Sequence, residues 1–250
     1  MNVDRDLFPL PAKQTGRLRA GFTLIELLVV IAVIGLLAAI LTPATIHAVN
    51  SAKKSRSLLE MKQIGGALHL YLAEKEYIFP PGWGGGQGTY AQHLNPYIYN
   101  NDNRSEDNMF AGPFAKPFQT VLGSSGQIVS FPISYSANPL LCPNINVSTQ
   151  TVTLDQVTRH TDVIFLADGC QNPANNNQAN STFFAADNFG IWGAPPANLD
   201  DLIDIGPDTD EATSEGHFRF PKGNACCLFV DGSARKIKKG EMTAGNIFWQ

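Results

Sequence analysis

The 250-residue sequence is poor in charged side chains, at 16%, and contains only four cysteines. Cys142, Cys170, Cys226 and Cys227 make no Cys-x-x-Cys pair, which argues against a zinc site. His-Glu-x-x-His and Gly-x-Ser-x-Gly are both absent, and the five histidines are scattered at 47, 69, 93, 160 and 217. No nucleophile stands with a paired base, so the sequence does not read as an enzyme. The glycine run at 84–86 is followed by no Gly-Lys-Ser/Thr and preceded by no strand, which excludes a phosphate loop. A net charge of −4 excludes nucleic-acid binding by bulk charge. An apolar fraction of 44% excludes a largely disordered chain.

What is there is unevenly distributed. Residues 1–21 hold Arg5, Lys13, Arg17 and Arg19 against Asp4 and Asp6, so the remaining 14 basic and 20 acidic residues lean negative. Phe22 to Leu41 then reads FTLIELLVVIAVIGLLAAIL, with Glu26 as its one charge. Twenty residues of helix span about 30 Å, the thickness of a bilayer's hydrocarbon core. The run is apolar on every face, unlike a helix that lays one stripe on a soluble core. It also exceeds the ~7–15 residues of a secretory signal's apolar region, and Ala38-Ala39 is a weak cleavage site. Gly21 lies before the apolar run, directly after the basic stretch.

Glu26 is the anomaly. A carboxylate inside a membrane helix costs about 2.5–3.5 kcal/mol on insertion scales, so such a residue reads as functional by default. The plainer alternative is an interfacial Glu that reaches back to the headgroups, since it lies ~6 Å along the helix from Phe22. Pro43 just past the run removes an amide donor, so the helix is expected to kink or loosen near Ala39–Pro43. Flanking charge does not fix orientation: Lys13, Arg17 and Arg19 on one side nearly balance Lys53, Lys54 and Arg56 on the other. The second cluster could instead touch anionic headgroups.

Gly21-Phe22-Thr23-Leu24-Ile25-Glu26-Leu27-Leu28-Val29-Val30 resembles the processing site of type IV prepilins and type II secretion pseudopilins. The resemblance implies cleavage between Gly21 and Phe22 by a prepilin peptidase and N-methylation of Phe22. It makes Glu26 an assembly determinant that pairs with the N-terminus of a neighbouring copy, and it matches Pro43. It places the N-terminus in the cytoplasm, the helix in the inner membrane and the rest outside. The implied partners are copies of itself or other pseudopilins, with no nucleic acid.

Beyond the membrane run, Leu58, Met61, Gly65, Leu68 and Leu72 keep 3-4-3-4 spacing, with Ile64 and Tyr71 beside them. Lys53, Lys54, Arg56, Glu60, Lys62 and Glu74 fall mostly off that stripe. The first strong stop is Phe79-Pro80-Pro81-Gly82, so one helix is expected over about 22–76. Residues 80–117 read as loops with a short helix near Tyr90–Leu94. Strands are expected at 118–122, 128–135, 163–167, 182–186, 225–230 and 234–237. Asp231-Gly232 marks a hairpin between the last two. The expected class is α+β: a long N-terminal helix on an antiparallel sheet, pilin-like. The divisions are 1–21 leader, 22–42 membrane and assembly helix, 43–78 its amphipathic continuation and 79–250 an extracytoplasmic head.

Met61-Lys62-Gln63-Ile64-Gly65, Phe79-Pro80-Pro81-Gly82, Ile133-Ser134-Tyr135-Ser136-Ala137-Asn138, Phe165-Leu166-Ala167-Asp168-Gly169 and Leu228-Phe229-Val230-Asp231-Gly232 also resemble a pseudopilin-like family abundant in planctomycetes. That family tends to end in His, nine residues, then Asp-Gly. Here Pro221 holds the His position and thirteen residues intervene between His217 and Asp231, so no role is carried over to His217.

Three further features stay open. Asp200, Asp201, Asp204, Asp208 and Asp210 in the acidic segment 200–211 could offer oxygens to calcium, or be a solvated loop. Cys142 and Cys170 could pair outside the cytoplasm, or all four thiols could stay buried and free. Trp83, Tyr90, Tyr97, Tyr99 and Trp192 could stack on sugars in a membrane-anchored binding module that does not polymerise, or pack the head onto the helix.

Overall fold

The computed structural model describes residues 22–83, 88–99, 109–115, 133–146, 150–172, 178–179, 197–203 and 218–248. It has an α+β, pilin-like architecture. A long apolar N-terminal helix, α1 (Leu24–Glu74), is followed by α2 (Tyr90–Tyr99) and a four-stranded antiparallel sheet. The chain divides into two compact units, Met1–Ala48 and Val49–Gln250.

In the first unit every described residue from Phe22 to Ala48 is exposed, Leu24 at 82% and Leu36 at 64%. Leu and Ala favour the helix, and in hydrocarbon a helix satisfies its own backbone polar groups. It continues through Pro43, whose ring nitrogen leaves the Ala39 carbonyl without its usual donor. On either side, the Thr42 and Thr45 hydroxyls donate to the Ala38 and Leu41 carbonyls at 2.7 and 2.9 Å.

In the second unit the sheet has the order β1-β2-β5-β6, with β1 (Tyr135–Ala137), β2 (Ile164–Asp168), β5 (Asn224–Phe229) and β6 (Ala234–Lys238). A separate two-stranded ribbon joins β3 (Gln171–Asn172) to β4 (Gln178–Ala179). One face of the large sheet packs on Met61, Ile64, Leu68, Tyr71 and Leu72 of α1 and on Ala91 and Leu94 of α2. The other face packs on Phe218, Phe220, Met242, Ile247 and Phe248. Each fully buried Leu, Ile or Met contributes about 1.5–3 kcal/mol.

The helical stripe and the hairpin follow the sequence expectation. β5 and β6 meet through residues 230–233: Gly232 takes φ +82°, and Asp231 Oδ1 accepts the Ser233 N–H at 2.8 Å. Other expectations need correction. α2 runs to Tyr99 rather than ending at Leu94, because Ala91, Leu94 and Asn95 form one buried face that outweighs the donor lost at Pro96. The first described strand is Tyr135–Ala137, so Ile133 and Ser134 lie before it; the Ser134 N–H is taken by the Phe110 carbonyl instead. The strands expected at 118–122 and 182–186, and positions 128–132 of a third, lie outside the described residues.

Gly65 sets how closely α1 approaches the hairpin. A β-carbon there would sit 3.0 Å from Leu228 Cδ1 and 3.1 Å from the Gly232 Cα and carbonyl oxygen. Gly66, one residue on, faces open space. Gly65→Leu is expected to destabilise the head by about 1–3 kcal/mol through overpacking against turn backbone. Gly66→Ala is expected to stabilise by about 0.5–1 kcal/mol through helix propensity alone. Denaturant titration of both variants checks the pair; equal effects would contradict the close contact.

Candidate functional site

The first site is the start of α1. Thr23 and Glu26 hold each other reciprocally. The Glu26 N–H donates to Thr23 Oγ1 at 3.3 Å, while Glu26 Oε2 accepts the Thr23 N–H at 2.9 Å and the Thr23 hydroxyl at 2.7 Å. Leu27 N–H to the Thr23 carbonyl, at 3.2 Å, closes the first turn. This is a capping box, in which the first and fourth residues satisfy each other's orphan amides. In hydrocarbon those amides would otherwise stay unpaired, at a cost of several kcal/mol each. Thr-x-x-Glu ahead of an apolar run carries that signal in the sequence; reading Glu26 by its charge alone passes over it. Both contacts use Oε2, so Oε1 has no partner among the described residues. Phe22 stands beside it, 79% exposed. Gly21 lies outside the described residues.

The second site is buried in the head, and the sequence reading passed over it. Glu60 is buried rather than off the stripe. Its Oε1 accepts from Arg56 Nε at 2.7 Å, and its Oε2 accepts from the Tyr135 hydroxyl at 3.3 Å. Burial raises its pKa, against the opposing pull of Arg56 and Tyr135. Asp168, at the end of β2, is buried too; its Oδ2 accepts the Cys226 N–H at 2.7 Å. Burial pushes its pKa up to about 7, opposed by the Cys226 N–H and more weakly by Arg219 and Lys54. Arg219 bonds to the Phe114 carbonyl at 2.7 Å and to Gln171 Oε1 at 3.2 Å. Asn138 is fully buried and spans two layers: its Nδ2 donates to the Ile164 and Ile247 carbonyls, both at 3.0 Å. These contacts give the sequence landmarks around Ser134–Asn138 and Asp168-Gly169 a structural role. They form no nucleophile–base pair.

All four cysteines are buried and free, so of the two alternatives left open by the sequence the structure has the unpaired one. Cys142 lies in the core beside Tyr71 and Tyr90, whereas Cys170 Sγ donates to the Phe218 carbonyl at 3.4 Å. Asp200 and Asp201 are exposed, and Asp201 Oδ1 accepts from Asn198 Nδ2 at 3.1 Å. Asp204, Asp208 and Asp210 lie outside the described residues. Among the described residues no cluster of His, Cys, Asp and Glu has metal-binding geometry.

The aromatic set separates as well. Tyr90 is fully buried and donates to the Tyr135 carbonyl at 2.6 Å, so it serves packing rather than a surface. Trp83 is 51% exposed, Tyr97 and Tyr99 are half-buried, and Trp192 lies outside the described residues. Tyr97 lines a groove of about 470 Å³ together with Tyr71, Glu74, Lys75, Gln92, His93 and Pro96. Its hydroxyl donates to Glu74 Oε2 at 2.7 Å.

Comparison with known proteins adds one match. Residues 16–42 fit the family described as the prokaryotic N-terminal methylation motif. The stretch takes in Gly21, Phe22, the Thr23–Glu26 cap and most of the exposed apolar helix. The chain therefore carries a prepilin-type amino end. No curated protein and no solved structure matches the chain.

Proposed function

We propose that the chain is a structural subunit of a type IV pilus-like or type II secretion pseudopilus filament. In this reading a prepilin peptidase cuts between Gly21 and Phe22, and Phe22 becomes the methylated N-terminus. Residues 22–42 anchor the subunit in the inner membrane, with the leader in the cytoplasm and the head outside. Copies then associate through this helix, where Gly35, Ala38 and Ala39 permit close approach.

The observation that carries the reading is Glu26: a carboxylate in an exposed apolar helix, held through Oε2 by its own Thr23 and with Oε1 unpartnered among the described residues. The cap steadies the side chain and satisfies one oxygen. A neighbour's new amino group supplies the opposite charge for the other, in a medium where either charge alone is strongly disfavoured. Thr23→Ala removes the hydroxyl donor but leaves the residue-23 N–H in place. It is expected to lower filament yield partially, where loss of the carboxylate abolishes it; electron-microscopic counts of sheared filaments check the order.

The groove beside Tyr97 favours a second reading, in which the same anchor holds a monomeric head that binds a polysaccharide or surface protein. Cross-linking in native membranes separates the two. Ladders of subunits support the filament, and a lone monomer supports the module.

A further inference from the structure

The sheet brings to one place lysines that the sequence scatters over 186 positions, from 53 to 238. In the β5–β6 pairing Cys226 lies opposite Lys236, and Asn224 opposite Lys238. Residues opposite one another share a face. That face is the one turned to α1, since Leu228, Cys226 and Ala234 all pack in the α1 core and Cys226 Sγ approaches the Lys54 carbonyl at 4.0 Å. Lys54 Nζ in turn donates to the Lys222 carbonyl at 3.3 Å, in the turn that leads into β5. Lys53 stands over the Phe114 ring at 5.7 Å.

Lys53, Lys54, Lys222, Lys236 and Lys238 thus gather where the open end of the hairpin meets α1. Lys53, Lys222, Lys236 and Lys238 are exposed. None of the five forms an ion pair among the described residues. Arg235 on the same strand is different: it points to the other face, over the Phe229 ring and 3.9 Å from Asp162. Of the acids near these lysines in the chain, Glu60 is buried and paired with Arg56, Asp231 lies in the turn at the closed end of the hairpin, and Glu241 follows Lys238, whose carbonyl accepts its N–H. Among the described residues, a chain of net charge −4 thus gathers five lysines at one end of the sheet.

We propose that this lysine cluster is a docking surface for anionic lipid headgroups, which fixes the head against the membrane that holds its anchor. The proposal rests on the membrane-anchor reading. Residues 43–53 form the whole tether between the apolar run and Lys53. Eleven residues span ~17 Å as helix. Even fully extended, eleven residues span at most ~40 Å, so the tether is short enough for the cluster to touch the headgroups of the membrane that holds its own anchor, where screening still leaves the attraction effective. Near such a surface each lysine gains about 1 kcal/mol, or roughly a fivefold preference for the bound state. A second copy's acidic segment 200–211 is the rival occupant, and the experiment separates the two.

The full chain is incorporated at one copy per nanodisc, with either zwitterionic lipid alone or one-third phosphatidylglycerol. Acetylation of each lysine is then followed by mass spectrometry. Lys222, Lys236 and Lys238 are expected to react about fivefold more slowly in the anionic discs, with the protection lost in high salt. Lys75, at the far end of α1, should react equally in both. The double variant Lys236→Gln/Lys238→Gln should weaken the protection of Lys222. Equal rates in both lipids would overturn the proposal, as would protection that appears in zwitterionic discs only when several copies share one disc. Failure to enter nanodiscs at all would instead strike the anchor reading.

Discussion

Glu26→Ala is expected to abolish filaments while leaving the protein in the membrane fraction. Removing one member of a poorly solvated charge pair strands the other at a cost of about 3–5 kcal/mol. That lowers an association constant by about a hundredfold or more. Insertion should not suffer, because losing a carboxylate makes the run more apolar. The cap complicates a single substitution, since Ala also removes the acceptor of the Thr23 N–H and hydroxyl. Glu26→Gln separates the two roles: its carbonyl oxygen can still cap Thr23, but it offers no charge. Both variants are therefore expected to stay membrane-bound and unassembled, by fractionation and electron microscopy. Wild-type filament yield in Glu26→Gln would reduce the residue to a helix cap.

Asp168 carries the second large effect, on stability. Its pKa lies near 3.8 in the open chain and about 7 in the folded head, raised chiefly by burial. Between these values the folded state holds a proton that the unfolded state has lost. Stability therefore falls as pH rises from about 4 to about 7, by roughly 4 kcal/mol at full extent, and stays low above. Asp168→Asn keeps a carbonyl oxygen for the Cys226 N–H and carries no charge to bury. The variant should lose this pH dependence and be the more stable protein at pH 8. At pH 5 the difference should shrink or reverse, because the amide adds a donor without a partner. Denaturant titrations of the full chain in detergent at the two pH values read this directly. Parallel pH profiles for both proteins would contradict the assignment.

The parts of the structure legible in the sequence are those governed by periodicity and local turn chemistry. Met61, Ile64, Leu68 and Leu72 announce a helix face because 3.6 residues per turn brings them together. Asp231-Gly232 announces a hairpin because Gly tolerates the positive φ that the turn requires. Pro81 and Gly82 end a segment wherever they fall. The buried acids were not legible for the opposite reason. Glu60 looks like a solvated helix position until Tyr135, far along the chain, supplies a donor and a wall. Asp168 looks like the start of a turn until β5 places the Cys226 amide against it. Both environments come from contacts across long sequence separations, helix on sheet for Glu60 and strand beside strand for Asp168, which no window of neighbours contains. The lysine cluster is hidden in the same way: Lys54 and Lys222 meet only because α1 lies against β5.

The amino end is the reverse case, since the cap, the apolar run and the processing motif are contiguous in the chain. The functional account stands on that end. It is tested most directly by determining the amino-terminal residue of the protein isolated from its native membranes. Terminal peptide mass spectrometry is predicted to find a chain that begins at Phe22 and is one methyl group heavier on its amine. A chain that still carries residues 1–21 would contradict the account.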